Sequence, residues 1–433
     1  MEQFNVTKNK LLKEEVWEKT DKCGLPVYVI PKKGFLNKTA MVGVKFGSVD
    51  LHFHPRTSPQ EKYSSPEGTA HFLEHQLFKK EKYDIFEIFG RYGASSNAYT
   101  SFVVTSYFFT CTDNFEKNLE VLLELAYKPV FKDEFVNKEQ PIIQQEIKMH
   151  NDIPDLKVFL NLMAILFQKH PVRHDPEGSI ESISRITADT LKKNYSTFYH
   201  PANTVLVCSG DIDPKTVFSM VEKAFANSPK GKGAAIKRIA SEEPPEASRK
   251  LITAQASIPR KKCLMGFKEI KTENDPRKLY LRELHSEIAL HLLFGKVSKF
   301  FDRHYQAGIV DDSFSASYFC HKTFGLAGIG GDTDSPEKMT DAVFKEIKNA
   351  RRNGFKKHDV ERVRREYTGK FLRSFDSPYK CASVFHNYIL NDVNVFEFPD
   401  LLKKINRKSL QERMEELLDE NRHAVSIVEP LKV

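Results

Sequence analysis

Ser64-Ser65-Pro66-Glu67 followed by Gly68-Thr69-Ala70-His71-Phe72-Leu73-Glu74-His75 reads as the start of a helix that carries an H-x-x-E-H array. Ser64 and Glu67 have the spacing of a capping box, and Pro66 suits the first helical turn, where its missing N–H is no loss. His71 and His75 are then one turn apart on one face. At that spacing two imidazoles can hold a single metal ion without distorting the helix. Glu74 falls on the same face, beside such an ion, where its carboxylate can act on water. The order inverts H-E-x-x-H, keeping the ligand spacing and bringing the carboxylate from the other side.

A hydrolytic zinc site needs a third protein ligand and one open position. A helix expected from about Asp133 to His150 offers Glu139 and Glu146, two turns apart on one stripe with Ile143 between them. One of these carboxylates can ligate while the other supports the site.

Further outward, a strand-like run Thr39 to Phe46 precedes the array, and a β-rich stretch Ser96 to Cys111 follows it. Next comes an amphipathic helix, Phe115 to Tyr127, with Asp113 or Asn114 as its cap and Pro129 as its stop. The same order returns later: a helix from about Tyr280 to Phe301, a strand-rich stretch Asp312 to Gly331, a helix from Pro336, and a long helix from near Asp359. Between the two halves, Asn227 to Lys250 is rich in Pro, Gly and charge and reads as a linker. The 433 residues therefore divide into 1–226, 227–250 and 251–433. The expected class is α+β: two duplicated domains, each a mostly antiparallel sheet with helices packed on one face.

With 40% hydrophobic and 29% charged residues the chain has the composition of a globular protein. No run approaches the roughly 18 apolar residues of a membrane span, and the start of the chain from Met1 lacks the apolar core of a secretory signal. The formal charge is +8, but Lys and Arg are interleaved with Asp and Glu, with no basic arm, zinc-finger pattern or RRM motif. Neither a nucleic acid nor a membrane is expected as a partner. The six cysteines are widely spaced, which predicts buried free thiols and a cytoplasmic location.

His71-Phe72-Leu73-Glu74-His75-Gln76-Leu77-Phe78, Gly93-Ala94-Ser95-Ser96-Asn97-Ala98-Tyr99-Thr100-Ser101, Glu139 and Gln145-Glu146-Ile147 resemble, in this order, the pitrilysin/insulysin family of inverted-motif zinc metallopeptidases. His170-Pro171-Val172, Gly178-Ser179-Ile180 and Phe198-Tyr199-His200-Pro201-Ala202-Asn203 extend the resemblance, which is greatest to short, two-domain bacterial members. It implies that His71, His75 and Glu146 ligate one Zn2+ per chain, that Glu74 is the general base, and that Glu139 is the supporting carboxylate. It also implies that Asn97, Ala98, Tyr99 and Thr100 form a sheet edge to which an extended peptide adds as a strand. The implied activity is that of an endopeptidase or oligopeptidase on small peptides or unfolded segments.

Two departures from the family pattern stand out. The second half places Glu287 and His291 where the first has His71 and His75, so it has no metal array of its own. Family members also carry an Arg and a Tyr seven residues apart in the C-terminal half. Aligned on Gly308, those positions hold His304 and Asp311, with Arg303 one residue out of register. Since the family builds a clamshell from four domains, a two-domain chain is expected to form half of one. The resemblance thus implies a dimer; the missing pair points to a related chain that supplies the Arg and Tyr, with a second copy of this chain as the other expectation. The alternative is a non-catalytic assembly subunit that retains a metal site.

Overall fold

The computed structural model describes residues 4–9, 12–228, 230, 231, 233 and 235–431. Met1–Gln3, part of the N-terminal reading, and Pro229 of the expected linker lie outside the described residues. Two compact units divide the chain. The first comprises Met1–Gln145, Asp175–Ile239 and Lys370–Phe396, and the second Glu146–His174, Ala240–Gly369 and Glu397–Val433. Each unit thus takes a segment from the opposite half of the sequence, unlike a single division at 227–250.

The strands of the first unit are β1 (Asn5–Asn9), β2 (Glu14–Thr20), β3 (Pro26–Pro31), β4 (Lys38–Val44), β5 (His52–His54), β6 (Tyr63–Ser64), β7 (Ala94–Thr100), β8 (Thr105–Cys111), β9 (Thr204–Gly210) and β10 (Lys237–Arg238). Seven of them form one sheet in the order β1-β2-β3-β9-β4-β8-β7, and β10-β5-β6 form a small second one. Only β3 and β9 run parallel in the larger sheet. Central β9, Thr-Val-Leu-Val-Cys-Ser-Gly, is buried along its whole length, as a strand covered on both faces should be.

The first five helices in chain order are α1 (Thr69–Phe78), α2 (Ile85–Arg91), α3 (Phe115–Tyr127), α4 (Asp133–Asn151) and α5 (Pro154–Leu166), the last of which belongs to the second unit. Alternation along β8 separates two helical layers. Tyr107 and Phe109 turn to one face, against Phe78 of α1, Phe89 of α2 and Phe115 of α3. Ser106 and Phe108 turn to the other, against His386 and Tyr379 of the helix Pro378–Leu390. That helix seats on β4 at Gly43, where a Cβ would lie 2.3 Å from His386 Nε2.

The second unit repeats the plan with β11 (Leu251–Ala256), β12 (Lys262–Lys268), β13 (Ser315–His321), β14 (Phe324–Asp332) and β15 (His423–Pro430). Its sheet order is β11-β15-β12-β14-β13, with β11 and β15 parallel and the other pairs antiparallel. This matches β3-β9-β4-β8-β7 strand for strand, so the duplication read from element order is visible in the topology. Here α5 seats on β12 at Gly266, whose Cβ would lie 2.9 Å from Leu162 Cδ2. On the opposite face Phe267 meets Phe344 of the helix Pro336–Asn353.

Three local expectations change. Ser64 lies in β6 rather than capping a helix, and α1 begins at Thr69 after Gly68 with φ 82° and no side-chain cap. The reason is steric. A Cβ on Gly68 would meet the Glu177 carbonyl oxygen at 2.3 Å, and one on Gly178, also at positive φ, would meet that of Glu67 at 2.7 Å. The helix expected from Tyr280 to Phe301 is two helices, Pro276–Phe294 and Lys299–Gln306, broken at Gly295, with Ser298 capping the second through Phe301 N. Of the six cysteines, Cys320 is half-buried and the other five are buried; all are free thiols.

Candidate active site

Helix α1 is buried nearly all round, and of its residues only His75 is not. Phe72 and Leu77 have no exposed surface, and each contributes about 2 kcal/mol relative to leaving it in water. That packing fixes the helix and so aims its polar residues. His71 and Glu74 are each 8% exposed, and the rings of His71 and His75 stand 4.6 Å apart in an edge-on arrangement.

Helix α4 supplies the carboxylates. The helix runs from Asp133 to Asn151 and carries both Glu139 and Glu146. Ligand atoms of His71, His75 and Glu146 all lie within 4.8 Å of one another. Two imidazoles and a carboxylate are a fitting donor set for zinc. The tautomer agrees. His75 Nδ1 is 3.0 Å from Glu139 Oε1, and since a carboxylate only accepts, Nδ1 carries the proton and Nε2 is the nitrogen that can ligate. Lys79 Nζ reaches Glu139 Oε2 at 3.6 Å.

Glu74 Oε2 accepts a 2.6 Å hydrogen bond from Thr100 Oγ1, at the end of β7. Behind it, Tyr107 and Tyr199 share a hydroxyl–hydroxyl bond of 2.7 Å. Burial first, and then each other's hydroxyl and the Glu74 charge, bear on both; the net effect holds them protonated well above the usual tyrosine range.

The four residues expected at the peptide-facing edge divide between two faces. β7 closes the sheet order, and its register sets Ala98 opposite Tyr107 and Thr100 opposite Thr105. Ala98 and Thr100 therefore face α1. Asn97 and Tyr99, opposite Phe108 and Ser106, face the helix Pro378–Leu390 instead. The Asn97 side chain accepts from Ala98 N at 2.8 Å. Sequence reasoning did not single out Lys79, or the link from Thr100 to Glu74.

In the second unit, His291 Nε2 lies 3.0 Å from Glu366 Oε2 on the helix Lys357–Arg373. Among the described residues no group of three metal-type ligands gathers there. Asp311 is bonded to Arg260 Nη1 at 2.6 Å, and His304 Nδ1 to the Phe300 carbonyl at 2.8 Å.

A duplicated α+β chain with an H-x-x-E-H helix facing a glutamate helix defines an inverted-motif metallopeptidase. The comparisons agree: "Insulinase (Peptidase family M16)" matches residues 60–177, and "Peptidase M16 inactive domain" matches residues 185–367. The chain is 36% identical over 419 residues to the uncharacterized zinc protease YmfH of Bacillus subtilis, covering 97% of each. The chain belongs to peptidase family M16. It is 24% identical to a second B. subtilis relative, the uncharacterized zinc protease YmxG, over 82% of this chain and 84% of that one. Among solved structures, a protein described as an M16-like peptidase of Alicyclobacillus acidocaldarius superposes with a TM-score of 0.92. It is 31% identical, over 96% of this chain and 99% of that one. A Helicobacter pylori protease shares the fold at a TM-score of 0.83 and 19% identity, over 96% of this chain and all of that one. Among the described residues no helix is long and apolar enough to cross a membrane.

Proposed function

We propose that the chain is a zinc-dependent endopeptidase or oligopeptidase acting on small peptides or unfolded segments. The observation that carries this reading is the gathering of His71, His75 and Glu146 within 4.8 Å, with Glu139 fixing the His75 tautomer. His71, His75 and Glu146 would hold one zinc per chain. Zinc supplies Lewis acidity at a peptide carbonyl and lowers the pKa of water. Glu74 takes the proton from the attacking water and returns it to the leaving amine. Glu139 orients His75, and the outer edge of β7 receives the extended peptide as an added strand.

The chain works as half of a dimeric chamber in the cytoplasm. The positions of the family's Arg/Tyr pair hold His304 and Asp311, and Asp311 is committed to Arg260. This favours a related chain as the partner that grips the substrate. It also keeps alive the second reading, an assembly subunit that binds metal without catalysing.

Glu74→Gln separates the two. The peptidase reading expects about one zinc per chain in both wild type and variant, with hydrolysis in the variant reduced at least 1000-fold, an effect of the size a general base contributes. Unchanged peptide cleavage by Glu74→Gln removes Glu74 as the base. A wild type that carries zinc and cleaves nothing, alone or with its partner, favours the assembly subunit.

A further inference from the structure

Glu74 is nearly buried, and a carboxylate in that position needs donors to remain both ionised and still. One donor the fold provides is the Thr100 hydroxyl at 2.6 Å, within the range of a charge-assisted O–H···O bond. Thr100 is a firm holder for two reasons. It is β-branched and therefore stiff at χ1. It also sits one residue before a pinned turn: Ser101 N donates to the Val104 carbonyl at 2.8 Å, and the Ser101 carbonyl accepts from Ser48 N at 3.1 Å. Its strand partner Thr105 is itself tied, through Oγ1, to the Phe46 carbonyl at 2.9 Å.

We propose that Thr100 is a positioning residue for the general base: its hydroxyl, fixed by β7, holds the Glu74 carboxylate in its working orientation. The inference rests on the reading of Glu74 as the base, and it gives the Thr100 side chain a role beside that of its strand as the expected peptide-receiving edge. The side chain points to α1, not outward from the strand, and so leaves the outer backbone edge of β7 to the peptide. Its consequence is that the strand which receives the peptide and the group which activates water are joined by one hydrogen bond.

The test compares Thr100→Val, which keeps the shape and deletes the donor, with Thr100→Ser, which restores it, in the zinc-loaded full chain. In Thr100→Val the proposal expects kcat to fall at least tenfold, with KM within twofold and zinc content unchanged. Thr100→Ser should restore most of the rate. Crystal structures of both variants supply a readout independent of activity: the Glu74 carboxylate leaves its position in Thr100→Val and keeps it in Thr100→Ser. An unmoved Glu74 in Thr100→Val overturns the proposal, as does a raised KM with kcat intact, which would return Thr100 to substrate binding. If the wild type cleaves no peptide, the peptidase reading fails while the two structures still decide whether Thr100 holds Glu74.

Discussion

Glu139 is 4% exposed, and burial pushes its carboxyl up, yet the His75 hydrogen bond and the Lys79 charge outweigh that and hold it below the usual carboxylate range. It is therefore ionised at neutral pH, as an acceptor for His75 Nδ1 must be. The stability it contributes is complete above the ordinary carboxylate value and is lost as the pH falls through the lowered one. Replacing it with Gln removes the charge that fixes the His75 tautomer and leaves Lys79 without this counter-ion. We expect Glu139→Gln to bind zinc about 10- to 100-fold more weakly, measured by competition with a chelator; an unchanged affinity would show that Glu139 does not serve the ligand. From the sequence, Glu139 and Glu146 were an equivalent pair on one stripe, and spacing alone did not choose between them. The resemblance to the family made that choice; the helix packing, which sets Glu139 against Nδ1 of His75 and Glu146 beside the two histidines, supplies a physical reason for it. The division of Asn97, Ala98, Tyr99 and Thr100 between two faces was hidden. A strand shows its period of two in sequence, but which phase faces α1 is fixed by the β7–β8 register.

At the scale of elements, the helix Pro378–Leu390 shows what pattern reading leaves out. Its place on β4 depends on the absence of a side chain at Gly43, 343 positions before His386 in a chain of 433 residues; no local periodicity reports such a pair. Strand and helix existence was legible, as in α3, whose bounds Phe115 and Tyr127 follow from its apolar stripe and Pro129. The start of α1 was not, because a close approach of Gly68 to Glu177 overrode a plausible capping box. A methyl at Gly43 would also lie 2.8 Å from Leu390 Cδ1, so Gly43→Ala must displace the His386 and Leu390 side chains or the helix that carries them. We expect a loss of about 1–3 kcal/mol in denaturant unfolding. Gly90→Ala, in α2 with nothing within 4 Å of the added atom, should instead be neutral or gain up to about 1 kcal/mol. The same contact predicts a pH dependence. Burial pushes His386 down to about 4, against roughly 6.5 in the unfolded chain. Below the unfolded value the unfolded state takes up a proton that the folded state refuses, so stability falls as the pH drops from about 6.5 to about 4, by up to roughly 3 kcal/mol. His170, also pushed down to about 4 by burial, acts in the same direction, so the measurement is a difference: His386→Gln should flatten the stability slope between pH 7.5 and 5 relative to wild type. An equal slope in both would mean that His386 does not titrate against folding.

At the scale of the molecule, two sheets of matching order carry different chemistry. The first copy sets His71 and His75 against Glu139 and Glu146. The second sets His291 against Glu366, with Glu287 in place of the first histidine, and no metal-type group of three forms there among the described residues. Duplication was legible from the repeated order of elements, because order survives when side chains diverge. The exchange of α5 and the helix Pro378–Leu390 between the units was not, since each helix reads equally well as part of the half in which it lies. The second copy is also where the family's Arg/Tyr pair would be expected. Asp311 at the Tyr position is neutralised by Arg260, and His304 at the Arg position spends Nδ1 on its own helix. Neither is arranged to replace an arginine that grips a peptide, while Arg303 next to it is exposed. If the metal half and the gripping half of the site reside on different chains, this chain alone should load zinc and yet cleave an unstructured peptide slowly. Mixing it with a related chain that has the Arg/Tyr pair and lacks H-x-x-E-H should then raise the rate at least tenfold. Glu74→Gln in this chain should abolish the gain, and changing the Arg or Tyr of the partner should do the same. Cleavage by this chain alone as fast as by any mixture would place both halves of the site on one sequence, with Arg303 then the residue to substitute next.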